Sequence, residues 1–326
     1  MTAVRWGIVS TAHINEKVIP GAREADGVEL VAVGSRDRAR GEAFAARFGI
    51  DRVHDSYDGL LADPDVEAVY IPLPNSLHVP WAVRALEAGK HVLCEKPLTR
   101  RVADAEAAFA AAERAGRVLM EGFMWRYHPQ TEALVRVARE IAPLRIVRAA
   151  FGFPLPPDPS NVRWLADLDG GALMDVGCYC VSALRLLAGE PERVSAEAVA
   201  APSGVDVRFA GVLRLPGDVL GQIDCGLDVP PRGGIYVVGE GGTAIAEDPW
   251  HGVTPRLTLM RPGSEPEEIP VEAVNPYRLE LEDVSAAIRD GRRPRLGRDD
   301  ALGQARTIAA LYESAATGRA VPLGSA

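Results

Sequence analysis

His91-Val92-Leu93-Cys94-Glu95-Lys96-Pro97 reads as a short apolar strand that runs straight into a charged pair and a proline. A strand of this kind belongs to a buried sheet, and an open α/β sheet carries its chemistry at the carboxyl ends of its strands. Lys96 stands out because Lys17 and Lys90 are the only other lysines in an arginine-rich chain. Lysine has a tunable pKa and arginine does not. The alternative from these residues alone is a solvated lysine in the loop that starts a helix.

Outward from this strand the pattern alternates. Strand-like runs fall near residues 4 to 9, 28 to 34, 66 to 73, 91 to 94 and 117 to 121, with helical runs between them. That order implies a parallel, doubly wound sheet. Ser76 and Gly89 are the expected caps of a helix over residues 78 to 88, and Thr99 and Gly116 those of the next. After Glu121 the pattern changes to a helix from about His128 to Glu140, a strand over residues 145 to 153 and a Pro-rich loop from Pro154 to Asp169. A helix over residues 172 to 188 follows. Runs at 193 to 201, 205 to 215, 218 to 227, 233 to 239 and 256 to 261 then predict consecutive antiparallel strands. Helices over residues 277 to 290 and 299 to 317 close the chain. The expected fold is α/β: a doubly wound parallel sheet over residues 1 to 123, then an α+β domain over 124 to 326 on a large open, mainly antiparallel sheet.

The first strand ends in Gly7-Ile8-Val9-Ser10-Thr11-Ala12-His13-Ile14, at the junction where a dinucleotide site needs backbone N–H groups close to a pyrophosphate. Ser10 and Ala12 occupy positions where glycines are usual, and both are small enough for close approach. The second strand ends in Ser35-Arg36-Asp37, where such a cofactor presents its adenosine ribose. Ser35 and Arg36 suit a 2′-phosphate and so favour NADP(H); Asp37 reaching the ribose instead would favour NAD(H). A double-Pro turn, Pro72-Leu73-Pro74, fixes Asn75 and His78 near the sheet's carboxyl edge. In the second half, Asp175 and Tyr179 lie four apart on an apolar helix and so share one face, either as a structural pair or as site residues.

The chain has 326 residues, 47% hydrophobic and 25% charged, with a formal net charge of −9. This length suits two domains with sizeable cores, and the acidic balance argues against a nucleic-acid or anionic-membrane partner. No apolar run approaches the ~20 residues of a membrane span, and the first strand begins too early for a signal peptide. Cys94, Cys178, Cys180 and Cys225 lie in apolar segments without metal-ligand spacing. We expect buried thiols, no metal and a cytoplasmic location.

Taken together, the Gly7 region, Pro74-Asn75 through His78, Glu95-Lys96-Pro97, Glu121-Gly122-Phe123-Met124-Trp125-Arg126, Gly170-Gly171 and Asp175 through Tyr179 resemble, essentially end to end, the glucose-fructose oxidoreductase, inositol dehydrogenase and rhizopine-catabolism (Gfo/Idh/MocA) family. Tyr179 is similar to the branch holding dihydrodiol dehydrogenases, aldose dehydrogenases and nucleotide-sugar ketoreductases. The resemblance implies a Rossmann domain and a second domain that packs in homodimers or homotetramers. It also implies a cis Lys96-Pro97 bond. Cofactor contacts are expected from Gly7, Ser10, Thr11, Ala12, His13, Ile14, Ser35, Arg36, Leu73, Pro74, Asn75, His78, Glu95, Lys96, Trp125 and Arg126. Arg163, Trp164 and Tyr277 are expected, with Trp125, Lys96, Asp175 and Tyr179, to line the substrate pocket.

The expected activity is hydride transfer between NADP(H), or NAD(H), and a hydroxyl or carbonyl carbon of a sugar or cyclic polyol. Tyr179 would move the proton, Lys96 would favour its phenolate, and Asp175 would hold Lys96 or a substrate hydroxyl. A nucleotide-sugar ketoreductase, a redox-neutral NAD-dependent glycosidase and a non-catalytic nucleotide sensor are the rival readings.

Overall fold

The computed structural model describes residues 2 to 324. The chain runs β1 (Val4–Val9), α1 (Asn15–Glu24), β2 (Val28–Gly34), α2 (Arg38–Phe48), β3 (Arg52–His54), α3 (Tyr57–Ala62), β4 (Ala68–Ile71), α4 (His78–Glu87), β5 (His91–Glu95), α5 (Val102–Ala115) and β6 (Leu119–Gly122). These strands form a parallel sheet of order β3-β2-β1-β4-β5-β6. The order reverses between β1 and β4, and a doubly wound sheet opens its ligand crevice at such a reversal. All four residues of β4, and Val92 to Glu95 of β5, are buried, as expected of strands covered on both faces.

There follow α6 (Pro129–Glu140), β7 (Leu144–Pro154), α7 (Cys178–Ala188), β8 (Arg193–Ala200), β9 (Asp206–Leu215), β10 (Val219–Gly226), β11 (Asp228–Gly239), β12 (Gly242–Glu247), β13 (Arg256–Met260), β14 (Glu267–Ile269), α8 (Pro276–Asp290), α9 (Arg298–Thr317) and β15 (Val321–Pro322). The second sheet has the order β14-β13-β12-β11-β7-β10-β9-β8-β15. Its ladders are antiparallel except β7 with β10. One face buries Val147, Phe209, Leu213, Ile223, Ile235 and Val237. The other exposes Val199, Val212, Leu220 and Tyr236, each between 39% and 48%. A depression of about 720 Å³ on that side is lined by Arg148, Gln222, Asp224 and Tyr236 among others, and by none of the expected site residues.

By packing, the chain divides into two compact units. The first holds the residues up to Met124 together with Asn275–Leu302; the second holds Trp125–Val274 and the chain from Gly303 onward. Helix α8 is tied to β1 by Trp6 Nε1 donating to Ser285 Oγ at 3.1 Å, and Arg289 donates to the Gly27 carbonyl at 2.7 Å.

Several local expectations are corrected. Ser76 is not a helix cap, because a 3₁₀ turn over Asn75–Leu77 precedes α4 and no side chain caps that helix. Thr99 accepts instead from the Arg101 N–H, and α5 begins at Val102 without a side-chain cap. The helix expected over 172 to 188 begins as a π-helical turn, Leu173–Gly177, before α7. The segment Ala166–Ala188 is long and apolar enough by composition to cross a membrane, contrary to the reading of the sequence. In the fold 83% of its most apolar window is buried inside the protein, and its helical part, the π turn and α7, packs in the core of the second unit. All four cysteines are free and buried.

Candidate active site

In the first unit the β1–α1 turn carries the unusual backbone. Ser10 has φ 99°, a region that non-glycine residues rarely enter and that tends to occur at functional sites. Asn15, fully buried, holds the turn by donating to the Ser10 carbonyl at 2.9 Å. Ser10 Oγ reaches toward the Pro72 carbonyl at 3.5 Å, which links this turn to the end of β4. Thr11, Ala12 and Ile14 are half-buried and His13 is exposed, so this turn presents small groups and backbone where a pyrophosphate would approach. Arg40, which the sequence reading passed over, sends Nη2 to within 3.4 Å of the Thr11 carbonyl. Its position one turn into α2 was the only available signal.

At the tip of β2, Ser35 is buried and its hydroxyl is spent on the backbone of Asp37. Asp37 in turn caps α2 by accepting from the Arg40 N–H at 3.0 Å. Arg36 is exposed, its guanidinium carbon 5.9 Å from the Tyr57 ring centroid. The three residues thus divide the work: two build the turn and the arginine faces solvent.

His78 is 1% exposed, and its ring lies between two loops. Nδ1 is 2.8 Å from the Pro97 carbonyl and Nε2 is 2.7 Å from the Leu73 carbonyl. Burial pushes its pKa down to about 4, against the upward pull of those carbonyls, and a neutral ring donates to one carbonyl at a time. His78 therefore braces the loops that carry Asn75 and Lys96 from beneath. The Lys96-Pro97 bond is cis, Lys96 is half-buried, and Glu95 accepts from the Tyr70 hydroxyl at 2.6 Å. Tyr277, expected at the substrate, is buried in this unit beside Glu95 and Glu280, and burial, with the Glu95 charge, raises its phenol well above 10.

In the second unit Asp175 and Tyr179 come from the π turn and the first turn of α7. A π turn is wider than an α turn and is frequent at functional sites. Asp175 accepts from Arg163 Nε at 2.6 Å, and the carboxylate's charge raises the Arg163 pKa further. The Asp175 partner shown here is Arg163, from the Pro-rich loop. Trp164 is buried and donates to the Pro156 carbonyl at 3.1 Å, folding that loop on itself. Tyr179 stands edge-on to Phe151 at 5.4 Å and to Trp250 at 5.7 Å; Trp250 meets Trp125 at 5.4 Å. Arg126 Nη1 donates to Ser182 Oγ at 3.2 Å. Phe151, Trp250 and His251, the last 5.8 Å from Phe151, were not singled out in sequence because they lie on a strand and a loop with no motif around them.

A doubly wound sheet with a strained first turn, a cation at the second strand tip and a lysine at the fifth is an arrangement that suits a nicotinamide-nucleotide oxidoreductase. Comparison with known families agrees. Residues 4–123 match the model described as oxidoreductase family, NAD-binding Rossmann fold, and residues 134–245 match the GFO/IDH/MocA C-terminal domain. The chain belongs to the Gfo/Idh/MocA family of oxidoreductases. It is 40% identical over 323 residues to D-xylose 1-dehydrogenase (NADP(+)) 2 of Haloferax volcanii, covering 98% of this chain and 99% of that one. Among solved structures it is similar to the aldose-aldose oxidoreductase from Caulobacter crescentus complexed with glycerol (TM-score 0.91, 30% identity, 98% and 100% covered). It also resembles a 3-ketoreductase from Actinomadura kijaniata in complex with NADP and TDP-benzene (TM-score 0.89, 32% identity, 96% and 98% covered).

Proposed function

We propose that this enzyme transfers hydride between NADP(H) and a hydroxyl or carbonyl carbon of a sugar or cyclic polyol. The observation that carries this reading is the end-to-end likeness to a xylose dehydrogenase that uses NADP(+). The nicotinamide, when bound, accepts or gives the hydride; the chain manages everything else. The Ser10 turn binds the pyrophosphate through backbone N–H groups, and Arg36 binds the 2′-phosphate. Tyr179 exchanges the proton of the reacting hydroxyl, and Lys96 stabilises the charge on that oxygen. Asp175, held by Arg163, orients a substrate hydroxyl.

The Arg36 assignment rests on Ser35 and Asp37 being committed to the turn. Arg36→Ala is expected to raise KM for NADP+ roughly ten- to hundredfold, the worth of about one to two charge-assisted hydrogen bonds, and to leave KM for NAD+ unchanged. The measurement is nucleotide absorbance with aldoses, inositols and cyclic diols under both cofactors. Equal losses with both would place the 2′-phosphate elsewhere. Nucleotide-sugar ketoreduction is the second reading, favoured by the likeness to the 3-ketoreductase; oxidation of NADPH by a keto-sugar nucleotide, with silence toward free aldoses, would select it. The exposed apolar residues on the open sheet face suit a second copy of the chain, and four buried thiols suit the cytoplasm.

A further inference from the structure

Helix α8 brings two polar side chains into the buried carboxyl edge of the parallel sheet. Tyr277 and Glu280, three apart and so on one face of the helix, are 5% and 1% exposed. Glu280 Oε1 has no hydrogen-bond partner among the described residues. It lies at the end of β6, 3.6 Å from where a Cβ on Gly122 would stand. The nearby end of β5 holds Glu95, 8% exposed, which accepts from Tyr70 Oη at 2.6 Å. That length is typical of a hydroxyl donating to an ionised carboxylate.

Two buried carboxyl groups that sense each other's charge do not both ionise cheaply. Glu95 has the phenol to support its charge; the Glu280 oxygen faces no donor. We propose that Glu280 keeps its proton in the resting enzyme and is a positioning residue, leaving Glu95 as the anion of the pair, next to Lys96. This rests on the reading of Lys96 as the electrostatic partner in hydride transfer, but the protonation itself does not.

The surrounding charges agree. Burial, the Glu95 charge and the Asp283 charge, in that order, hold the Glu280 carboxyl well above the usual carboxylate range. Tyr70 and Tyr277 are raised well above 10 by burial and by Glu95, so both phenols stay neutral. From β6, Glu121 accepts from the Leu98 N–H at 2.7 Å; from β5, the Cys94 thiol is also raised by burial. On α8 itself, Asp283 is paired with Arg292, and Arg278 lies beside Glu282. From α1, Glu16 pairs with Arg47, Arg23 donates to the Phe48 carbonyl, and Lys17 meets α8 through its backbone carbonyl.

Glutamine copies the shape of a protonated glutamate, which makes Glu280→Gln the test. A carboxyl whose folded pKa lies above its unfolded value stabilises the fold only at low pH, and the benefit is lost as pH rises toward the folded pKa. The denaturation midpoint of E280Q, relative to the unsubstituted enzyme, should therefore climb steadily from about pH 5 to pH 8. The acid carbonyl stretch in the infrared spectrum at pH 7 should disappear in E280Q. In turnover, E280Q should retain kcat near neutral pH while the alkaline limb of kcat/KM moves to higher pH. A midpoint difference flat with pH, with no infrared band lost, would overturn the protonation. Loss of the band with the alkaline limb unmoved would leave the protonation standing and overturn the positioning role. If Lys96→Met leaves turnover intact, the reading of Lys96 fails separately.

Discussion

Tyr179→Phe is expected to lower kcat by about 10²- to 10⁴-fold, the usual contribution of a positioned acid or base, with little change in nucleotide affinity. The ring packs edge-on against Phe151 and Trp250, and phenylalanine keeps those contacts. The substitution therefore removes the hydroxyl and not the packing, so stability should move by less than about 1 kcal/mol. Single-turnover hydride transfer followed by nicotinamide absorbance, beside nucleotide binding by fluorescence, separates the two. A Phe variant that turns over at the parent rate would remove Tyr179 from the chemistry.

Lys96→Met gives the companion measurement. If Lys96 acts on the same oxygen that Tyr179 protonates, the two losses will not add: removing the second group from an enzyme that lacks the first costs much less than removing it from the intact one. Full additivity would mean that the two residues act on different steps.

How much of this was legible in the sequence depends on the range over which each signal acts. Long apolar or periodic runs gave β1, β2, β5, α4 and α5 directly, because burial leaves its mark in the residues themselves. Strand β3 is only three residues, Arg52–His54, all half-buried, and β12 is built of Gly, Thr, Ala, Ile and Glu; neither has the length or the β-branched density that marks a strand. Caps failed at Ser76 and Thr99 because a cap is fixed by where the backbone turns, and a 3₁₀ turn moved one of them. The motif residues Lys96, Asp175 and Tyr179 could be singled out locally. Their partners could not: Arg163 reaches Asp175 from a loop, and Glu280 approaches Glu95 from a helix 185 positions on. Periodicity shows that α8 is a helix with an apolar face, but not which sheet that face covers.

Asp206 was invisible for the same reason, and it fixes the segment that bears Asp175 and Tyr179. It is 7% exposed; Oδ2 accepts from the Leu173 N–H at 2.7 Å and Oδ1 from the Tyr312 hydroxyl at 2.9 Å. A carboxylate at the start of a helical segment satisfies an orphan N–H and interacts favourably with the positive end of the helix dipole. Gly171, with φ 113°, makes room for it: an added Cβ would stand 2.2 Å from Asp206 Oδ1. Gly171→Ala should therefore strain the backbone by about 1 to 3 kcal/mol and also push the buried carboxylate off its donors, for a total of about 3 to 5 kcal/mol. Asp206→Ala alone should cost about 2 to 3 kcal/mol, leaving the Leu173 N–H unpaired. Because the clash needs the carboxylate, the double variant should be more stable than the sum of the two losses predicts by at least ~1 kcal/mol. Urea denaturation of the four proteins measures this. Simple additivity would mean that Gly171 answers only to its own backbone, and that the Asp206 cap survives the alanine.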